Sequence, residues 1–187
     1  MRIIAGSLKG RRLKAPDWPG LRPTSDKLRE TLFNVLGPTV RGARLLDACA
    51  GTGAVGIEAL SRGASHVTFV ERDPRAADLI AENLAACGVT DRHAIIRMGF
   101  EGAGRRLSGT PFDVVFIDPP YGAAELLEAL TAADPLVGPA TLLVVEHARR
   151  DPAPDAAGTL QRTRVLHSGD SALAFYRRAE QSRPEIQ

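Results

Sequence analysis

Leu45-Leu46-Asp47-Ala48-Cys49-Ala50-Gly51-Thr52-Gly53-Ala54-Val55-Gly56 is the stretch on which the fold turns. An apolar run ends in a carboxylate, passes through a glycine-rich turn and resumes with helix-forming residues. Residues 44–48 are predicted as a short buried strand and 55–62 as a helix. Glycines in such a turn let the backbone take positive φ and approach a ligand closely. The spacing Gly51-x-Gly53-x-x-Gly56 matches a dinucleotide fingerprint when it stands between strand and helix. Glu71 ends the next predicted strand, where an acid can bond both ribose hydroxyls of an adenosine. A nicotinamide cofactor explains Glu71 as well as S-adenosylmethionine does. Asp47 favours the second, because a carboxylate just ahead of the loop suits a ligand with an ammonium group and no pyrophosphate.

Outward from this stretch, strands and helices alternate. Residues 67–71, 94–97, 112–118 and 141–146 read as strands, and 74–87 and 124–133 as helices, with Pro74 in a first helical turn. Near-continuous apolar strands separated by helices imply a parallel sheet covered on both faces, a doubly wound α/β fold. The end of the chain differs. Residues 161–166 and 172–178 are predicted as strands joined by Ser168-Gly169-Asp170 with no helix between, a β-hairpin that closes the sheet. Ahead of the first strand, residues 1–15 read as a small hairpin around Gly6, Ser7 and Gly10. Trp18-Pro19-Gly20-Leu21-Arg22-Pro23 reads as a loop. A helix is expected from Ser25 or Asp26, with Leu28, Leu32, Phe33, Val35 and Leu36 on its apolar face and Gly37-Pro38 at its end.

A second constellation is Phe112-Asp113-Val114-Val115-Phe116-Ile117-Asp118-Pro119-Pro120-Tyr121. It falls at the carboxyl end of a strand, where open α/β sheets place their chemistry. Pro119 and Pro120 stiffen the turn. An amino group attached to a nucleobase is a poor nucleophile because its lone pair is delocalised into the ring. Asp118 and the carbonyl of Pro119 can accept its two N–H bonds and turn the lone pair toward a methyl donor. Tyr121 can stack on the base, a contact worth roughly 1–3 kcal/mol. A nicotinamide enzyme has no need of this arrangement.

Composition narrows the classes. At 187 residues, one domain is expected, large enough to fold without a metal or disulfide staple. Cys49 and Cys87 have no metal-ligand spacing, His66, His93, His147 and His167 are scattered, and no metal site is expected. No apolar run reaches membrane-helix length, and the apolar stretch at the start of the chain is too short for a signal peptide, so a cytoplasmic protein is expected. The net charge of +2 is unevenly placed: residues 1–30 carry eight basic and three acidic side chains, +5, leaving −3 for the remainder. A basic end on a slightly acidic body suggests a polyanionic partner. Cys49 sits at the wrong motif for a ring-carbon methylation nucleophile and reads as loop packing. His147 reads as structural or solvated; Arg149, Arg150, Arg177 and Arg178 read as solvated, although Arg177 and Arg178 could add to an RNA surface.

The two constellations resemble the cofactor and catalytic motifs of class I methyltransferases acting on amino groups. The opening Arg2-Ile3-Ile4-Ala5-Gly6, the segment from Arg22-Pro23-Thr24-Ser25-Asp26 to Asn34, and the run from Gly56 to Ala64 narrow the likeness. Together they resemble the RsmD family, bacterial methyltransferases that modify N2 of one guanine in 16S ribosomal RNA. The likeness runs from the first residues to about Phe175. It implies a seven-stranded, mostly parallel sheet with an antiparallel last strand and a basic N-terminal extension for RNA. It also implies a small-subunit (30S) assembly particle as substrate. Two departures stand out. Arg97-Met98-Gly99-Phe100 lacks the Asn or Asp that often faces the adenine after the third strand, and His167-Ser168-Gly169 replaces a basic residue followed by Tyr-Gly.

The expectation is therefore a Rossmann-like methyltransferase domain at 21–187 behind a basic hairpin extension at 1–20, acting as a monomer with S-adenosylmethionine. Asp47, Ala50, Gly51, Thr52, Gly53, Glu71, Arg72 and Gly99 are the expected cofactor set. Asp118, Pro119, Pro120 and Tyr121 are the expected catalytic turn. Lys9, Arg11, Arg12, Lys14, Arg22 and Arg29 are the expected RNA contacts. The competing readings are an N6-adenine DNA methyltransferase, a methyltransferase of glutamine side chains and a catalytically silent RNA-binding assembly factor.

Overall fold

Side chains alternate across the strands of a single sheet, and each face is covered by helices. The computed structural model describes residues 1–20 and 24–179. Strand β1 (Arg44–Ala48) lies between β2 (His66–Glu71) and β4 (Val114–Ile117). Strand β3 (His93–Arg97) lies outside β2, and β5 (Leu142–Ala148) outside β4; all of these pairings are parallel. The sheet continues antiparallel through β8 (Ser171–Arg178), β7 (Leu160–Ser168) and β6 (Ala156–Ala157). The order is β3-β2-β1-β4-β5-β8-β7-β6, eight strands where seven are expected from the sequence. The additional strand, β6, is two residues long, too short to leave a periodic signal.

The period-two pattern divides the core. Leu45, Phe116 and Val144 pack with Leu32 and Phe33 of α1 (Asp26–Leu36), Ile57 of α2 (Ala54–Ser61) and Ile80 of α3 (Pro74–Ala86). Their neighbours Leu46, Val115 and Leu143 pack on the other face with Phe100 of α4 (Phe100–Arg106) and Leu130 of α5 (Ala123–Ala133). Helix α1 starts where the sequence places it, with the Ser25 hydroxyl accepting from the Leu28 amide at 3.2 Å. Helix α4 is not foreseen from the sequence. Its N-terminal residue Gly99 offers no capping side chain, and Gly102 and Gly104 lie inside it, each unfavourable by about 1 kcal/mol relative to Ala. Gly104 is needed there, because a Cβ would stand 2.5 Å from the Ala132 carbonyl oxygen of α5.

The basic N-terminal segment turns back on itself through one antiparallel bridge, Arg2 with Arg12, rather than an extended two-stranded ladder. It is fastened to α2 instead. The amides of Ile4 and Ala5 donate to the Glu58 carboxylate at 2.7 and 3.0 Å, and the Ser7 amide donates to the Ser61 carbonyl at 2.8 Å. Ile3 and Leu13 are buried in the core beneath it. Gly6 permits the contact: its φ is +84°, and a Cβ would lie 1.9 Å from the Ser61 carbonyl oxygen.

The chain runs outward in both directions from β1, to β2 and β3 on one side and to β4 and β5 on the other. A crevice therefore opens above the carboxyl ends of β1 and β4, where doubly wound folds bind ligands. Among the described residues, no helix is long and apolar enough to cross a membrane.

Candidate functional site

The carboxyl ends of β1, β2, β4 and β5 open into a cleft of about 1320 Å³. Its far wall comes from the segment ahead of α1, including Trp18, Thr24 and Ser25. The Arg75 guanidinium stacks on the Trp18 ring at 5.1 Å and is itself paired to Asp73 at 2.8 Å.

Of the residues expected to hold a cofactor, Ala50, Gly51, Thr52, Glu71, Arg72 and Gly99 line this cleft. The turn between β1 and α2 is tightly wound, with φ of +58° at Cys49, +55° at Gly51 and +74° at Gly53. The Gly53 amide closes the turn on the Ala50 carbonyl at 2.7 Å. Glu71 buttresses it: one carboxylate oxygen accepts from the Gly51 amide at 2.8 Å and the other from the Asp73 amide at 2.9 Å. Backbone donors thus fix the carboxylate at the cleft wall, and its remaining lone pairs can accept from hydroxyls.

Asp47 and Gly53 correct the expectation, because neither lines the cleft. Asp47 is 1% exposed and turns beneath the loop, where Oδ2 accepts from the Gly56 amide at 2.8 Å. Gly53 begins α2 without any capping side chain, and Asp47 supplies the missing acceptor for the free amides of the first turn. Gly56 likewise serves packing: a Cβ there would lie 2.2 Å from Phe69 Cε1.

Asp118, Pro119, Pro120 and Tyr121 all line the same cleft. Asp118 follows β4 directly, and its amide donates to the Ala48 carbonyl at 3.3 Å. Its Oδ2 accepts from the Thr24 hydroxyl at 3.3 Å. Tyr121 is 44% exposed, with its hydroxyl 3.3 Å from Ser171 Oγ. Burial holds the Asp118 carboxyl well above the usual carboxylate range; the neighbouring Glu146 adds to this and the Thr24 hydroxyl opposes it. Burial also raises Glu146. The Cys49 thiol is pushed up to about 12, by burial first and then by Glu71, Asp118 and Asp47, so it stays protonated and unreactive. His147 lies under the last turn of β5, buried, with Nδ1 2.9 Å from the Ala148 carbonyl.

Glu146, Ser171, Thr24 and Trp18 line the cleft but are not singled out by the sequence reading. A signal for Glu146 is present. Like Glu71 and Asp118, it is an acid that ends an apolar run, here Leu142 to Val145, although β5 itself continues to Ala148.

The expected RNA contacts divide. Lys9, Arg11, Arg12 and Lys14 are exposed, and Lys14 pairs with Glu82 at 2.7 Å. This arm adjoins the cleft, since Met1 packs against Thr52 and the Asn83 side-chain amide joins the carbonyls of Lys14 and Thr52. Arg22 lies outside the described residues. Arg29 is a correction: it is fully buried and unavailable to a polyanion. Its guanidinium donates to Asp26 at 2.6 Å and to the Arg2 carbonyl at 2.9 Å, and stands 3.6 Å from Glu58. The charge is internal, holding the N-terminal arm to α1 and α2.

Comparison with known proteins agrees with this architecture. Residues 1–177 match the family model described as "Conserved hypothetical protein 95". The chain is 39% identical over 184 residues to YlbH of Bacillus subtilis (strain 168), covering 95% of this chain and 99% of that protein. It is 35% identical over 183 residues to ribosomal RNA small subunit methyltransferase D of Escherichia coli (strain K12), covering 97% and 91%. The solved structure of yhhF from Escherichia coli superposes with a TM-score of 0.84 at 35% identity, covering 97% of this chain and 99% of that one. The chain belongs to this family, the RsmD family that its motifs resemble.

Proposed function

We propose that this RsmD-family member transfers a methyl group from S-adenosylmethionine to the exocyclic N2 of a guanine in 16S ribosomal RNA. One observation carries the reading: the glycine turn braced by Glu71 and the turn Asp118-Pro119-Pro120-Tyr121 face a single cleft. The small-subunit ribosomal RNA in the name of the Escherichia coli relative supports the substrate class.

The cleft fits the cofactor chemically. Its cofactor side sets the Glu71 carboxylate beside the apolar faces of Met98 and Phe100. Such a site favours a cation carried on an apolar nucleoside. S-adenosylmethionine supplies a methyl group activated on a positively charged sulfur. Glu71 accepts from the ribose hydroxyls, and Ala50, Gly51, Thr52, Arg72 and Gly99 line the rest of the cofactor's side of the cleft. Asp47 and Gly53 act from below by fixing the turn.

The acceptor side is built from the second turn. Asp118 and the Pro119 carbonyl receive the two N–H bonds of the guanine amino group, which localises its lone pair toward the methyl group. Pro120 stiffens the turn and Tyr121 stacks on the base. A guanine that reaches Tyr121 has left its own stack. A nearby cation favours the ionised form of Asp118, the form that accepts N–H bonds. The chemistry rests on alignment, for which effective molarities can be very large. Lys9, Arg11, Arg12 and Lys14 bind phosphates beside the cleft, and one chain carries every residue assigned, in line with a monomer acting on a 30S assembly particle.

The test is incubation with labelled S-adenosylmethionine and undermethylated 30S particles, followed by mapping of the modified base. Label at N2 of one guanine of 16S ribosomal RNA is expected. In the same assay, alanine at Lys9, Arg11 and Arg12 flattens the salt dependence of particle binding by up to about 0.7–0.9 log units for each phosphate left without its cation. Label on adenine of DNA, or no transfer despite cofactor binding, overturns the reading.

A further inference from the structure

Glu146 has no part in the reading of the sequence, yet its position in the cleft is specific. It lies on β5 next to β4, opposite Leu173 of β8, and it is buried at the cleft wall. Asp118, Ser171 and Tyr121 all neighbour its carboxylate. Among the described residues its Oε2 has no hydrogen-bond partner, although it is shielded from solvent. Buried carboxylate oxygens are ordinarily bonded, so an open one in a binding cleft is an acceptor awaiting a donor.

We propose that Glu146 selects guanine by accepting the N1–H of the base while Asp118 and the Pro119 carbonyl hold the adjacent N2 amino group. The inference rests on the proposed methyl transfer to guanine N2 and names the residue that reads the rest of the base edge. Guanine presents two neighbouring donor groups on its Watson–Crick edge, the N1–H and the N2 amino group. Two neighbouring carboxylates match both. Adenine presents an amino group beside a bare ring nitrogen, and that nitrogen would face the acceptor-only Glu146 with no hydrogen between them. Specificity of this kind comes as much from the unpaired charge imposed on the wrong base as from the bond made to the right one. An N–H donated to Glu146 also favours its ionised form, so the correct base stabilises the state that recognises it. Tyr121, whose ring is proposed to stack on the base, has its hydroxyl 3.3 Å from Ser171 Oγ, and both residues line the cleft with Glu146.

The experiment compares two acceptor bases in wild-type protein and Glu146→Gln. 30S particles are reconstituted with 16S ribosomal RNA carrying guanine, or 2-aminopurine, at the position mapped above. 2-Aminopurine keeps the amino group but has a bare ring nitrogen in place of N1–H. The wild type should prefer guanine by about 100-fold in kcat/KM, the scale of a hydrogen bond to a charged group. In Glu146→Gln, whose amide can donate to that nitrogen, the preference should fall at least tenfold, with calorimetric cofactor affinity retained. Should the glutamine disturb packing and cofactor affinity, Glu146→Ala is read by the same ratio, and the same collapse is expected. Equal losses on both bases, leaving the preference unchanged, overturn the assignment and leave Glu146 structural. Failure of the wild type to methylate guanine in intact particles would instead overturn the underlying function.

Discussion

The two turns at the carboxyl edge of the sheet differ in how completely their polar groups are satisfied. In the turn from β1 to α2, the amides of Ala50, Gly51, Gly53 and Gly56 reach the Val70 carbonyl, Glu71, the Ala50 carbonyl and Asp47 at 2.7–3.0 Å. In the turn from β4 to α5, among the described residues, Asp118 accepts from one side-chain donor, Thr24, at 3.3 Å, and its neighbour Glu146 keeps an unpartnered oxygen. The first turn is finished before any ligand arrives. The second holds acceptors close together at a cost in desolvation and mutual repulsion, visible in the raised pKa of Asp118 and Glu146. A preorganised cradle paired with an incompletely satisfied polar cluster is the division expected when one side holds a cofactor and the other meets charge during a reaction.

Removing one acid from each turn should separate the two roles. Asp118→Ala carries the larger effect: single-turnover methyl transfer should fall by roughly 10²-fold or more, because the amino group loses its orienting acceptor. Calorimetric affinity for S-adenosylmethionine should fall far less than turnover, since Asp118 is assigned to the acceptor base and meets the cofactor only through its charge. Loss of cofactor binding in this variant would erase the contrast between the turns. Glu71→Ala should do the reverse, weakening cofactor binding by about 1.5–3 kcal/mol through loss of charge-assisted bonds to the ribose. Its Gly51 and Asp73 amides also lose their acceptor, so a loosened turn adds to the effect. Unchanged affinity would mean that the ribose partner lies elsewhere on the wall.

The contrast also explains what the sequence reveals. Both turns are legible because each is a continuous run: an apolar strand, an acid, then glycines or prolines that allow few backbone courses. The seven longer strands are legible for the same reason, while two-residue β6 and glycine-bearing α4 leave no period to detect. What is hidden is the side to which a charge turns. Asp47 stands at the expected place ahead of the loop but points beneath it. Arg29 looks like part of a basic segment, yet its guanidinium meets Glu58, a residue far along the chain on another helix. Thr24 and Glu146 reach Asp118 only through the packing of the α1 leader and β5 around β4, a non-local arrangement without a local motif.

The last test leaves activity aside and asks through stability whether Asp47 truly belongs to the finished turn. Its carboxyl is pushed up to about 8, by burial first, against the Gly56 amide, with Glu71 adding to the rise. The folded protein thus keeps Asp47 protonated to about pH 8, whereas in the unfolded chain it ionises near pH 4, about its reference value. Between these values the unfolded state has released a proton that the folded state retains, so rising pH favours unfolding. The stability linked to Asp47 is complete below about pH 4 and is lost as pH climbs toward 8, at up to about 1.4 kcal/mol per pH unit. Asp47→Asn keeps an oxygen for the Gly56 amide but cannot ionise. Asp118 and Glu146 titrate in both proteins and largely cancel in the difference, apart from the repulsion between Asp47 and Asp118. In urea unfolding without cofactor, the variant should gain on the wild type steadily from pH 5 to 8, and the gap should level off above that. A gap that does not change with pH would mean that Asp47 is already ionised in the fold. It would then be a standing charge like those of the second turn, and a candidate to face the cofactor's cation after all.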